Sequence, residues 1–255
     1  MGQQYKLGLA LGGGGAKGFF QAGVVKRLLE MGYRPNIISG TSVGSLVGAL
    51  LADGQHPDRM VEVFQHLAVK DFLQPKLPKE FLVDSKPLRK LLESLLRART
   101  FEELNIPLRV MTTCLETGEG VVFDKGPLVD ALIASCSIPI IFPPVLIGGY
   151  HYMDGGTVKN LPVSIIRSDC QKVIAVSLHP VKGGKYQKKM RFIAERCADY
   201  LFNANTIMDK QMADYLIEDE VMKTYSAYDL KYSLEMFDKG YHSHSIVAGG
   251  LEDIS

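Results

Sequence analysis

Residues 5–54 read YKLGLALGGGGAKGFFQAGVVKRLLEMGYRPNIISGTSVGSLVGALLADG, and this stretch decides the fold. It begins with a short apolar run, Tyr5–Leu11, which predicts a buried strand that leads into consecutive glycines. Residues 19–31 predict a helix with one apolar stripe. A second short strand at residues 35–39 and an apolar helix at Val43–Ala52 follow. This order of strand, helix, strand and helix predicts an α/β fold with a parallel sheet and right-handed crossovers.

The rest of the chain continues this pattern. Further helices are predicted at residues 86–96 and 128–135, and strands at residues 108–115, 120–123, 145–153 and 172–178. The strand at residues 145–153 is expected to be broken by Gly148 and Gly149. Residues 191–222 are predicted to be helical, with apolar positions that form an ordinary core face. We therefore expect a catalytic core over residues 1–180. A C-terminal helical extension, residues 181–255, is expected to pack on the same domain.

Bulk composition restricts the class of protein. The 255 residues are 46% hydrophobic, which suits one globular domain, and a net charge of +1 gives no reason to expect a nucleic-acid partner. Four widely spaced cysteines favour reduced thiols in a cytoplasmic protein, and no metal or cofactor is expected. Residues 131–153 carry no Asp, Glu, Lys or Arg, but three prolines within them argue against a membrane-spanning helix.

Two stretches are locally basic. One runs from Lys182 to Arg196, where six basic residues stand against Glu195 alone, and the other covers residues 76–99. Solvated faces explain such runs most simply. The alternative is peripheral contact with anionic lipid headgroups. Residues 182–189 are also the best candidate for a hinge or loop.

Ser42 lies in Gly40-Thr41-Ser42-Val43-Gly44, a G-x-S-x-G pattern between a predicted strand and a predicted helix. A serine on such a tight turn projects outward at the carboxyl edge of the sheet, and the flanking glycines avoid clashes. The following helix points its N-terminal amides toward the serine. The pattern therefore makes Ser42 a candidate nucleophile, although a plain glycine-rich turn gives the same letters.

Residues 12–18 read GGGGAKG and join the first strand to the first helix. Consecutive glycines can aim successive amides at one point, as an oxyanion hole requires. Lys17 opposes the dipole of the helix that it precedes, which suggests interaction with an anion. The same run also matches the dinucleotide fingerprint G-x-G-x-x-G, but no acidic residue ends the second strand, as that site would need.

A nucleophilic serine needs a general base. His151 and His179 are candidates if the order is that of an α/β-hydrolase, but the elbow comes early for that fold. Asp154 follows a predicted strand and precedes Gly155-Gly156. A carboxylate there can accept the serine proton directly, without an imidazole between them. From the residues alone, Asp154 is also explained as part of an ordinary turn.

The three motifs, in this order, resemble those of the patatin-like phospholipase family: the glycine-rich loop at residues 13–18, the elbow at residues 40–44 and the Asp-Gly-Gly at residues 154–156. The linking sequence is similar as well, at residues 135–139, 142–144 and 160–162. The resemblance covers residues 6–178 and is closest to compact bacterial members. Beyond about residue 182 no family motif is found, and we expect that segment to cover the Ser42 cleft.

The resemblance implies a three-layer α/β/α fold around a mainly parallel sheet. It implies hydrolysis of acyl esters of phospholipids or related lipids through an acyl-enzyme and a Ser42–Asp154 dyad. The amides of Gly13, Gly14 and Gly15 would form the oxyanion hole, and Lys17 would order that loop or meet the substrate. Three alternatives remain open: an acyltransferase, a catalytically weak lipid-binding protein on the same fold, and a nucleotide-binding oxidoreductase.

Overall fold

A computed structural model of the chain describes residues 4–66, 84–180, 186, 188, 190–227 and 230–248. Within these residues the centre is an eight-stranded sheet. Its strands are β1 (Tyr5–Leu11), β2 (Ile37–Thr41), β3 (Leu108–Cys114), β4 (Gly120–Phe123), β5 (Val145–Ile147), β6 (Tyr150–Asp154), β7 (Cys170–Ser177) and β8 (Tyr215–Glu218). The helices are α1 (Gly18–Glu30), α2 (Val43–Ala52), α3 (Pro57–His66), α4 (Lys86–Leu95), α5 (Leu128–Ser135), α6 (Ser164–Arg167), α7 (Met190–Ala204), α8 (Ile207–Met212), α9 (Ser233–Tyr241) and α10 (His244–Ala248).

The sheet is mainly parallel. Its strand order is β5-β6-β3-β2-β1-β7-β8, and β4 also pairs with β3. Strands β3, β2, β1, β7 and β8 run parallel to one another, whereas β4, β5 and β6 join through antiparallel pairings. The carboxyl ends of β1 and β2 therefore meet at one edge of the sheet, which brings the glycine loop next to the Ser42 turn.

Alternate side chains of the central strands enter two separate cores. Leu9 and Leu11 of β1 join the core formed with α1, α2 and α5 on one face. Ala10 lies on the other face, with Ile166 of α6 and Ala175 of β7. A sheet that is buried on both faces is the middle of three layers. The predicted three-layer α/β/α fold is therefore confirmed.

Most predicted elements form with end shifts of one or two residues, and residues 145–153 are broken at Gly148 and Gly149, as the sequence predicts. They fold into the β5–β6 hairpin, because Gly148 and Gly149 adopt φ of 59° and 89° and turn the chain. No helix among the residues described in the structure is long and apolar enough to cross a membrane.

The prediction for residues 191–222 is partly wrong. The helical pattern ends at Met212, and Tyr215–Glu218 forms β8, a parallel neighbour of β7. The predicted core face is also wrong for part of α7, because Ile193 and Leu201 are 45% and 70% exposed. The basic positions Lys182, Lys185 and Lys189, the stretch 76–83 and most of the predicted hinge lie outside the described residues.

Candidate active site

The Ser42 turn joins β2 to α2 and holds an uncommon backbone conformation. Ser42 has φ 52° and ψ −128°, a region that an L-residue enters only under strain. Its amide donates to Ser135 Oγ at 2.8 Å, and Ser135 Oγ donates to Met111 O at 2.7 Å. A Cβ on Gly44 would lie 2.2 Å from Leu11 O, so only glycine lets α2 approach β1 this closely. These contacts hold Ser42 on a tight turn between β2 and α2.

Asp154 is held directly against the serine. Ser42 Oγ donates to Asp154 Oδ2 at 2.7 Å, although the two residues are 112 positions apart. The second carboxylate oxygen, Oδ1, accepts from Gly156 N at 2.7 Å. Thr113 Oγ1 on the neighbouring strand β3 donates to Asp154 O at 3.0 Å, which fixes the backbone there. Both oxygens of the carboxylate are therefore oriented, one of them toward Ser42.

Burial sets the electrostatics of this pair. Ser42 is 8% exposed and Asp154 is 6% exposed. Loss of solvation raises the pKa of Asp154 from 3.8 to about 6, against the opposing effects of the Gly156 amide and the Ser42 hydroxyl. A carboxyl group with that pKa is ionised at neutral pH and is basic enough to accept a proton from a serine during reaction.

The glycine loop lies beside Ser42, but its three amides differ. A Cβ on Gly13 would lie 3.2 Å from Ser42 Cβ. The Gly13 amide, however, already donates to Asn160 O at 2.9 Å. In the part of the chain that the structure describes, neither the Gly14 amide nor the Gly15 amide donates a hydrogen bond. In the described residues these two amides, unlike that of Gly13, therefore remain available as hydrogen-bond donors.

Lys17 is buried rather than exposed to substrate. It is 6% exposed, and its Nζ donates to Leu178 O at 3.3 Å, just past the end of β7. Of the two roles considered for Lys17, this contact favours ordering the loop over meeting the substrate.

The two candidate histidines have other partners. His151 Nδ1 lies 2.7 Å from Glu116 Oε1 at an exposed position. His179 is buried, and burial followed by the charges of Lys17 and Lys210 lowers its pKa to about 3. The same imidazole is hydrogen bonded to the backbone of Gly13. The group directly bonded to Ser42 Oγ is the Asp154 carboxylate.

Comparison with known proteins identifies the family of this chain. The family described as patatin-like phospholipase matches residues 9–166, more than half of the chain. That segment includes the glycine loop, the Ser42 turn and the Asp-Gly-Gly motif. The chain belongs to the patatin-like phospholipase family.

Relatives of this patatin-like chain share its family segment. An uncharacterized NTE family protein of Mycobacterium tuberculosis is 31% identical over 187 residues, covering 70% of this chain and 51% of that protein. Patatin-like phospholipase domain-containing protein 6 of Homo sapiens is 31% identical over 181 residues, covering 68% of this chain and 13% of that protein. The chain therefore spans about half the length of the mycobacterial relative and a small part of the human one.

A solved structure supports the fold. The crystal structure of VipD from Legionella pneumophila superposes with a TM-score of 0.54 at 15% identity, covering 96% of this chain and 66% of that one. At that identity the likeness concerns the fold alone. It extends over nearly the whole patatin-like chain, beyond the segment that the family matches.

Several residues that hold this patatin-like site were not singled out as site residues from the sequence. Ser135 and Asn160 lie in stretches that resemble the family, so a signal for them was available. Asn205 lies outside every motif. Its Oδ1 accepts from Asn160 N at 2.9 Å and its Nδ2 donates to Gly156 O at 2.8 Å. The junction of α7 and α8 thus holds both the Asp154 loop and the residue that engages Gly13.

Proposed function

We propose that this patatin-like protein is a lipid acyl hydrolase that uses Ser42 as nucleophile and Asp154 as general base. The observation that carries the proposal is the 2.7 Å hydrogen bond from Ser42 Oγ to Asp154 Oδ2 in a buried site. A buried carboxylate with a pKa of about 6 accepts a serine proton more readily than a solvated one. Membership of the patatin-like phospholipase family supports an ester of a lipid as the substrate.

The proposed reaction has two halves. Ser42 Oγ attacks the ester carbonyl carbon while its proton passes to Asp154, and the Gly14 and Gly15 amides bind the negative charge on the carbonyl oxygen. The attack forms a tetrahedral intermediate. When this intermediate collapses, the ester C–O bond breaks and Asp154 gives the proton to the departing alcohol. Water then loses a proton to Asp154 and attacks the acyl-enzyme. The acyl–Oγ bond breaks, Ser42 regains its proton, and the fatty acid leaves.

The proposed substrates are acyl esters of lipids as a class. Phospholipids or related acyl esters fit the family, and peripheral contact with a membrane would give access to them. The same acyl-enzyme can pass its acyl group to an alcohol instead of water, so the acyltransferase alternative shares every step up to that point.

A fluorophosphonate probe tests the proposal without knowledge of the substrate. We expect the probe to label the intact chain at Ser42, as mapped by mass spectrometry, and Ser42→Ala and Asp154→Asn to abolish the labelling. Ser94→Ala is the matched control, because Ser94 is an exposed helical serine that donates only to Leu91 O. A protein that binds lipid without catalysis would leave Ser42 unlabelled, and that result would reject the mechanism.

A further inference from the structure

Helix α7 turns an apolar stripe toward solvent. Among its described side chains, Met190, Ile193, Tyr200 and Leu201 are 88%, 45%, 48% and 70% exposed, and Cys197 and Ala204 are exposed as well. At 3.6 residues per turn, these six positions fall within about 100° of arc. A helix on a globular protein normally directs such a stripe into the core. We call these six residues the α7 stripe.

The opposite side of α7 packs on the active site. A Cβ on Gly156 would lie 3.4 Å from the ring of Phe202, and that ring lies 5.7 Å from the His179 ring, centroid to centroid. Asn205, just past the helix, bonds to Gly156 O. Because the helix is about 10 Å across, the α7 stripe lies one helix diameter from the loop that carries Asp154.

The residues beside the stripe are amphipathic or basic. The Arg196 guanidinium lies over the rings of Phe192 and Tyr200, at 5.3 and 5.9 Å from their centroids. Tyr186 is 71% exposed, and Lys188 is exposed too. Tyrosine and arginine side chains of this kind reside where apolar tails meet charged headgroups, with an apolar body inside and a polar tip outside.

We propose that the α7 stripe docks this protein on a membrane surface that contains anionic lipids. Apolar residues on one side of a surface helix, bordered by basic and aromatic residues, are the pattern of an interfacial helix. Docking through this face would bring the bilayer next to the site that hydrolyses its lipids. In that respect the inference rests on the proposed function, although attachment itself does not need catalysis.

Charge favours a lipid surface over a second copy of the chain as the occupant. Arg196 lies near the middle of α7, so a two-fold pairing of stripes would bring the Arg196 residues of the two copies close together. Anionic headgroups instead attract a basic residue at that position, and each such residue near the surface adds to the attraction. The described basic neighbour Lys188 adds to the same effect.

Cosedimentation with vesicles tests the docking surface. Every protein carries Ser42→Ala so that lipid is not consumed, and the vesicles are phosphatidylcholine alone or with an equal part of phosphatidylglycerol. We expect the Ser42→Ala parent to bind the mixed vesicles, and Met190→Ser with Leu201→Ser to weaken that binding about tenfold, which corresponds to about 1.4 kcal/mol. The matched control, Met31→Ser with Leu234→Ser, changes two residues that are 40% and 62% exposed elsewhere and should bind as the parent does.

A second pair of changes tests the anionic component. Lys188→Gln with Arg196→Gln should weaken binding to mixed vesicles and leave binding to phosphatidylcholine vesicles unchanged. Far-ultraviolet circular dichroism verifies that each variant is folded, which the exposure of the changed side chains favours.

Three outcomes would overturn the docking proposal. They are a parent protein that binds neither vesicle, stripe and control variants that bind equally, and a parent dimer that the stripe changes convert to a monomer in sedimentation velocity. The last result would assign the stripe to a second copy of the chain. Vesicle binding by the Ser42→Ala parent does not depend on the hydrolase mechanism, whereas probe labelling of Ser42 does not depend on vesicles. The failure of either proposal is therefore seen separately.

Discussion

At the scale of single residues, the backbone of Ser42 is strained and the carboxyl group of Asp154 is desolvated. A positive φ costs an L-residue about 1–2 kcal/mol, and Ser42 is one of two described non-glycine residues with such a φ. The hydrogen bonds of Ser135 and the close packing of Gly44 hold the elbow in place against that strain. Both features position the proposed nucleophile and the proposed base at the expense of stability.

The strain at Ser42 should affect the stability of variants at this position. We expect Ser42→Gly to be more stable than Ser42→Ala by about 1 kcal/mol, because glycine relieves the positive φ and loses part of that gain to its greater freedom when unfolded. Urea unfolding of the two variants measures the difference. Equal stability, or a more stable Ser42→Ala, would mean that the elbow is not strained in solution.

The pH dependence of labelling follows from Asp154. Since the pKa of Asp154 is raised to about 6 by burial, the rate of probe labelling should rise with pH, reach half its maximum near pH 6 and be level above about pH 7. At pH 5 roughly a tenth of the maximal rate should remain. A midpoint near pH 4 would mean that Asp154 is solvated in the working enzyme. Labelling should be measured over short times, so that hydrolysis of the probe does not distort the profile.

The same raised pKa has a consequence for stability. In the window between the ordinary value of 3.8 and about 6, the folded protein binds more protons at Asp154 than the unfolded chain does. The contribution of this group is therefore fully present at low pH and is lost as the pH rises through about 6. We expect Asp154→Asn, which removes the buried charge, to be more stable than wild type at pH 7 by about 1–3 kcal/mol. Thermal unfolding at pH 7 measures this, and a less stable variant would contradict it.

At the scale of secondary-structure elements, the junction between α7 and α8 positions the catalytic loop. Asn205 forms hydrogen bonds with both Asn160 and Gly156. Asp209 of α8 forms an ion pair with Lys159 at 2.8 Å and accepts a hydrogen bond from Ser164 N. These contacts fasten the segment between Asp154 and α6 to elements that come about 50 residues later. The loop is therefore held from outside as well as by its own hydrogen bonds.

Loss of the hydrogen bonds of Asn205 should change the pKa of Asp154 as well as the stability of the fold. We expect Asn205→Ala to slow labelling of Ser42 about tenfold and to shift the pH midpoint below 6, because a looser loop admits water to Asp154. Asn203→Ala is the control, since Asn203 Oδ1 accepts from Lys210 Nζ and makes no described bond to the loop. A lower melting temperature with an unchanged midpoint would show that Asn205 contributes only to stability.

At the scale of the whole molecule, the segment after residue 180 is built into the core. It supplies β8 next to β7, and Ala227 O accepts from Ala16 N in the glycine loop at 2.8 Å. Helix α9 crosses α1 closely where Gly23 and Gly240 each face the backbone of the other helix. The division of the chain into domains stays a prediction. These contacts argue against residues 1–180 folding as an independent domain.

A truncated chain tests that argument. We expect residues 1–180 alone to lack a cooperative thermal transition, because the edge of β7 and the buried face of α1 would lose their cover. Circular dichroism in the near ultraviolet, with the full chain as reference, measures the loss of fixed packing. A truncated protein that melts cooperatively would establish residues 1–180 as a domain of its own.

Features that depend on neighbouring residues can be predicted from the amino-acid sequence. The strands β1, β3, β4 and β7, the helices α1 and α2 and the Ser42 turn follow from apolar periodicity and from glycine-rich turns. The residues around Asp154 do not distinguish it from an ordinary turn residue. It becomes a candidate site residue because three motifs occur in the order typical of the patatin-like family.

Features that depend on residues far apart in the chain required the folded structure. The bond between Ser42 and Asp154, the engagement of the Gly13 amide by Asn160, and the clamp by Asn205 arise because strand pairing brings distant loops to one edge of the sheet. The strand β8 and the outward α7 stripe differ from prediction for a related reason. Local periodicity states which residues share a face, whereas the packing of the whole molecule decides what that face meets.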